Sequence, residues 1–109
     1  MMYYVFVRGT PGQAGVDVEG LDSSHHIENY TSTLDALGFL VGEGGVITKK
    51  PGSHGNIDTV TGSTRILLLQ PYLFASDVLV ILREAGYKVI SSAGVTTPPG
   101  AVVWTLEKH

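Results

Sequence analysis

Residues 63–109 constrain the fold more than any other stretch, because they read as strand, helix, strand, strand with little room for another parse. A short apolar run at 66–69 passes through Gln70 and Pro71 into a segment where Phe74, Val78, Ile81, Leu82 and Ala85 recur at helical spacing. Ser76, Asp77, Arg83 and Glu84 fill its polar positions. Gly86 is the natural stop, since glycine adopts the left-handed conformation that closes a helix. Residues 87–92 then run on as an extended segment, and Pro98, Pro99 and Gly100 force a reversal. Residues 101–106, rich in β-branched and aromatic side chains, are expected to return antiparallel beside it. The outcome is a helix laid on a small antiparallel sheet.

That helix carries more apolar surface than one sheet needs. Leu79 and Val80 lie off the Val78, Ile81, Leu82 stripe, so residues 78–82 are apolar almost all the way round. Burying five such side chains is worth roughly 7–15 kcal/mol as an upper bound, so the middle of the chain or another subunit must cover the second face. Trp104 and Tyr87, in the closing strands, could form a ligand platform. Such aromatics more often serve core or subunit interface, and the interface is the favoured reading. Leu79, Val80 and Trp104 are the expected oligomer contacts.

Upstream, residues 2–7 form a continuous apolar run ended by Arg8 and Gly9, which suits a strand buried on both faces near the sheet centre. Gly9, Pro11, Gly12 and Gly15 make a turn-rich loop, and residues 16–19 alternate as a short edge strand would. Ser23 or Ser24 can cap a helix in which Ile27, Tyr30, Leu34 and Leu37 form one stripe, closed by Gly38. Thr31 and Thr33 lower its intrinsic propensity, so packing of the stripe must hold it. Between residues 42 and 62 six glycines interrupt short β-prone pieces at 46–48 and 57–61. These two pieces could pair as a hairpin around residues 50–53, or the stretch could be a long loop.

With 109 residues the chain is a single domain, 1–109, with an insert at about 42–62. Its net charge of -3 and scattered Lys and Arg argue against nucleic-acid binding, which needs a basic face. The absence of cysteine excludes a disulfide scaffold, a thiolate nucleophile and a cysteine metal site. The apolar start is too short for a signal peptide and nothing approaches a membrane span, so a cytoplasmic protein is expected.

The chemical motifs are weak. Gly42, Glu43, Gly44 and Gly45 resemble a phosphate loop only superficially, lacking the Gly-Lys-Ser/Thr ending and the strand-loop-helix context. His25, His26 and His54 could suggest a metal, but adjacent histidines at a helix start point about 100° apart, and only Glu28 and Asn29 stand nearby as further ligands. No serine sits in a nucleophile elbow, and Asp17, Glu19, Asp22, Asp35, Asp58 and Asp77 fall in expected loops or exposed helix faces. No catalytic residue, metal or cofactor is assigned.

The closing segment, Leu82-Arg83-Glu84-Ala85-Gly86-Tyr87-Lys88-Val89-Ile90-Ser91-Ser92-Ala93-Gly94-Val95 and then Val102-Val103-Trp104-Thr105-Leu106-Glu107-Lys108, resembles the GTP cyclohydrolase I feedback regulatory protein family. That family reads Leu-Glu-x-x-Gly-Phe-Arg-Val-Leu-Ser-Met-Thr-Gly-Val, then Leu-Val-Trp-Cys-Leu-His-Lys. Met2-Tyr3-Tyr4-Val5 echoes its Met-Pro-Tyr-Leu start, and residues 20–27 occupy the place of its Gly-Asp-x-x-Ser-Asp-Pro-Glu-Leu. The resemblance implies an α+β fold of βαββαββ order, a small antiparallel sheet with two helices, here with a glycine-rich insert before the third strand. It also implies a homopentamer that docks on GTP cyclohydrolase I without catalysis of its own, conveying inhibition by tetrahydrobiopterin and stimulation by phenylalanine. The chain has Thr96, Thr97, Pro98, Pro99, Gly100 and Ala101 where the family has Gly-Gln, so the family's effector-contacting glutamine has no counterpart and only Gly94 and Val95 carry over.

The expected effector or partner interface is therefore the loop ends Arg8, Gly9 and Thr10 with Gly94, Val95, Thr96 and Thr97, where the competing explanation is ordinary turn structure. A stand-alone amino-acid-binding module resembling ACT domains is the alternative from another class. A small enzyme using the insert as a lid would need an acid-base pair near residues 42–62.

Overall fold

The computed structural model describes residues 2–13, 15–22, 27–51, 56–60, 63–68, 74–95 and 99–109, with the backbone alone at 22, 56–60 and 63–68. The fold is α+β, with two helices and an antiparallel sheet. Strand β1 (Tyr3–Gly9) is followed by β2 (Val16–Asp22), helix α1 (Ile27–Ala36), β3 (Phe39–Val41), β4 (Ile47–Lys49), β5 (Asn56–Val60), β6 (Ser63–Leu68), helix α2 (Ala75–Glu84), β7 (Lys88–Gly94) and β8 (Val102–Lys108). This succession fits the expected βαββαββ order roughly, with β2 and the β3–β4 pair as additions. Six strands form one sheet in the order β5-β6-β2-β1-β8-β7, every neighbour antiparallel, while β3 and β4 pair separately.

Strand β1 is central, between β2 and β8, but its residues alternate between buried and exposed. The expectation of burial on both faces fails because both helices pack on one side. Val5 and Val7 point into the core, while Tyr4 and Phe6 remain 44% and 41% exposed on the bare face. Strand β2 is likewise not an edge: it runs seven residues and lies between β1 and β6, which places Asp17, Glu19 and Asp22 in a strand rather than in loops. Its register with β6 shifts between Val18 and Leu21, and Gly20 within that irregularity has φ +91°.

Helix α2 starts where the Asp77 carboxylate accepts the Phe74 N–H at 2.9 Å, satisfying a donor ahead of the first turn. It ends as the sequence requires. Gly86 (φ +102°) donates to the Arg83 carbonyl at 3.0 Å and Tyr87 donates to the Leu82 carbonyl at 2.9 Å, the two bonds of a Schellman closure. Ala75, Val78 and Leu82 are buried, Leu79 and Ile81 half-buried, and Val80 exposed.

Helix α1 buries Tyr30 and Leu34, with Leu37 just beyond its end, but the stripe does not extend to Ile27, which is 54% exposed. Thr33 is buried instead. Its hydroxyl lies 3.1 Å from the Tyr87 hydroxyl, which also accepts the Asn29 amide at 2.9 Å. Burial of a threonine is tolerable because this polar cluster satisfies it. Tyr87 is 2% exposed. The favoured reading of Tyr87 as an interface residue is corrected: the single chain already encloses it.

The glycine-rich insert is folded over its described length. Residues 47–49 pair with 39–41, and 56–60 pair with 63–68, so no hairpin forms between 46–48 and 57–61. A short 3₁₀ turn at Glu43–Gly45, with Gly44 and Gly45 both at positive φ, joins β3 to β4. The core thus draws on β1, β2 and β8 from the sheet, both helices, and Phe39 from β3.

Candidate functional site

Two surfaces follow from this framework. The first is at the end of the sheet where β1 finishes. Gly9 pairs with Val102, which pairs with Gly94, so the three lie on one rung; Arg8, Val103 and Ala93 form the next. Two strand spacings separate Gly9 from Gly94, about 10 Å. The predicted loop ends Arg8, Gly9, Thr10, Gly94 and Val95 are therefore neighbours at one end of the sheet, while Thr96 and Thr97 lie outside the described residues. A Cβ built on Gly100 would sit 3.8 Å from Thr10 Cγ2, and Val95 donates to the Ala101 carbonyl at 2.9 Å, which ties the β7–β8 connection to this corner.

Gly9 also has a packing role. A Cβ built there would come 3.3 Å from the Ala75 Cβ, so its lack of a side chain lets the start of α2 rest on β1. Gly94 has open space around it, and Arg8 is exposed.

The second surface is a groove of about 290 Å³ between α2 and the sheet edge, lined by Leu79, Val80, Arg83, Tyr87, Lys88, Val89 and Leu106. The tight turn at Gly86 sets it up by bringing β7 back directly beside α2. Val80 and Val89 are about half exposed, at 51% and 48%, and all seven residues of β7 are exposed. Arg83 and Lys88 stand on this apolar lining with no acidic side chain in it, and neither makes an ion pair among the described residues. Of the expected oligomer contacts, Leu79 and Val80 line the groove. Trp104 instead packs half-buried against the core from β8. Sequence reasoning passed over Arg83, Lys88 and Val89; the signal lay in the three-residue link between α2 and β7, which makes helix and edge strand adjacent.

The bare sheet face holds a coupled pair. Tyr4 faces Glu107 across β1 and β8, and its phenol is raised above its ordinary value of 10.0 by desolvation first, then by the charge and hydrogen bond of the Glu107 carboxylate. Because the folded chain favours the neutral phenol, this contribution is present below the unfolded value and is lost as pH rises through the folded one. Nuclear magnetic resonance of ring-labelled tyrosine is expected to show Tyr4 ionising at lower pH in E107Q than in the unaltered chain. An unchanged titration would assign the shift to desolvation alone.

Among the described residues no three His, Asp or Glu side chains gather as metal ligands. The positions of His25, His26 and His54 lie outside the described residues. No helix among the described residues is long and apolar enough to cross a membrane. The Asn29, Thr33 and Tyr87 cluster is an internal polar contact between α1 and the start of β7. Comparison of the chain with protein-family models, with curated proteins and with solved structures finds no match.

Proposed function

We propose that the chain is a non-catalytic regulatory subunit, similar in role to the GTP cyclohydrolase I feedback regulator, that works in the cytoplasm by associating with copies of itself and with an enzyme. The observation that supports this reading is the open apolar groove beside a fully exposed edge strand, a surface whose burial favours association. In this reading Leu79, Val80 and Trp104 contribute to contacts between copies in a ring, five by the resemblance. The corner formed by Arg8, Gly9, Thr10, Gly94 and Val95, with Thr96 and Thr97, meets the enzyme and an amino-acid or pterin effector.

The mechanism is differential binding. A subunit that prefers one conformational state of its enzyme shifts the enzyme toward that state, and an effector held at the shared surface adds its own preference. Such coupling is typically about 5- to 150-fold. Light scattering on the purified chain, followed by mixing with GTP cyclohydrolase I and titration with phenylalanine or tetrahydrobiopterin, tests the proposal. Multimers that change the enzyme's response to effector support it. A persistent monomer that leaves the enzyme unaffected overturns it, and amino-acid binding by such a monomer favours the stand-alone sensing module.

A further inference from the structure

The geometry points to head-to-tail assembly through the two outermost strands of the sheet among the described residues, with β5 of one copy adding to β7 of the next. This inference rests on the reading of the chain as a self-associating subunit and specifies which elements meet. The six strands run β5-β6-β2-β1-β8-β7 with every neighbour antiparallel. With an even number of alternating strands, the two outermost run in opposite directions. A second copy placed beside the first with its helices on the same side therefore presents β5 antiparallel to β7. The new pair has the same hydrogen-bonding type as the five pairs inside the chain, so the sheet continues without reversing a strand or exposing a helix layer.

The two edges complement one another in composition. Strand β7 reads Lys-Val-Ile-Ser-Ser-Ala-Gly, with one base and no acid; β5 reads Asn-Ile-Asp-Thr-Val, with one acid and no base. The groove flanking β7 adds Arg83 beside Lys88 and has no carboxylate among its described lining residues. An incoming strand extends the sheet under the open side of this groove, whose Leu79, Val80 and Val89 lining is then covered. Strand β7 contains no proline, and its one lysine is at its start, so the usual defences of a solvent edge are sparse there, with an irregularity between Val89 and Ser91 as the exception. The contact joins two different surfaces, so repetition builds a ring where the rotation closes and a filament where it does not.

The chain contains no cysteine, which makes disulfide trapping direct. The register of the pairing is open, so S91C is combined in turn with I57C, D58C and T59C in the full chain, and each variant is oxidised under mild conditions. At least one pair is expected to give a ladder of dimers, trimers and larger species on a non-reducing gel that collapses on reduction. S91C combined with S32C, on the exposed face of α1, controls for random collision and is expected to give no ladder. Circular dichroism verifies that each variant folds. Dimers from S91C alone, at a level matching the double variants, would mean that β7 meets β7 and would overturn the inference. So would the absence of a ladder from all three pairs while light scattering shows multimers, an outcome that leaves the regulatory-subunit reading standing. A monomer by light scattering overturns both.

Discussion

Tyr87→Ala is expected to destabilise the chain by about 3–5 kcal/mol, the range for removing a large aromatic from a packed core. Tyr87 is the largest of the fully buried side chains among the described residues and stands where three elements meet. Its backbone N–H closes α2 through the Leu82 carbonyl, its hydroxyl reaches Asn29 and Thr33 on α1, and it leads directly into β7. Lys108 from β8 lies over its ring, 5.6 Å from the centroid. Tyr87→Phe separates the two contributions. It retains the ring and leaves the Asn29 amide and the Thr33 hydroxyl without that partner, at a cost of about 1–3 kcal/mol. Chemical denaturation of both variants checks the ranking. Equal midpoints for Tyr87→Phe and the unaltered chain would show that the hydroxyl cluster contributes nothing net.

This internal role has a consequence for the association surface. With Tyr87 enclosed, the groove beside α2 has a rigid floor, and what remains accessible is the Val80 and Val89 rim with its two cations. Substitutions at the rim are accordingly expected to alter association with little effect on the stability of a single copy. A floor substitution such as Tyr87→Ala changes both, and so cannot serve as a test of assembly.

The C-terminal third was legible because each local signal agreed with its neighbours. Helical spacing through Leu82, a glycine stop at Gly86 and a proline-glycine reversal before Ala101 leave few alternatives, and α2, β7 and β8 fall where these place them. The first strand was legible in position but not in burial. An apolar run does not say whether helices cover one face or two; on the open side Tyr4 has Glu107 as a polar partner and the Phe6 ring lies against Gly20. Pairing in the insert was hidden for a different reason. Its strands are three to six residues long and each carries β-branched residues, so several partners are compatible locally. The choice is made by tertiary contacts, as when Phe39 enters the core and draws β4 with it.

The candidate site divides along the same line. Arg8, Gly9, Thr10, Gly94 and Val95 were identifiable as loop ends, yet their convergence depends on β8 lying between β1 and β7, a long-range pairing that no local pattern encodes. Thr33 illustrates the limit in the core: a threonine reads as a polar helix position until Tyr87, 54 residues away in sequence, supplies its partner.

Gly20→Ala is expected to cost about 2–4 kcal/mol, combining about 1–2 kcal/mol for a left-handed backbone at a non-glycine residue with steric strain of about 1–3 kcal/mol, partly relieved by small shifts. The position is demanding in both respects. Its φ is +91°, and a Cβ built there would lie 3.1 Å from the Tyr4 carbonyl oxygen and 3.1 Å from the Phe6 ring. The side-chain contact can yield if the ring turns away, but the carbonyl belongs to the central strand, and moving it disturbs the pairing of β1 with β8. Gly20 thus lets Phe6 lie against the backbone on the bare face while the β2 register shifts to return Leu21 to the core. Thermal unfolding provides the check, at about 4 °C per kcal/mol for a domain of this length. The companion variant Gly20→Asn introduces a polar side chain tolerant of positive φ and is expected to lose less than Gly20→Ala. If Gly20→Asn is the more destabilised of the two, crowding at Tyr4 and Phe6 outweighs backbone conformation, and glycine is required there for space rather than for its φ.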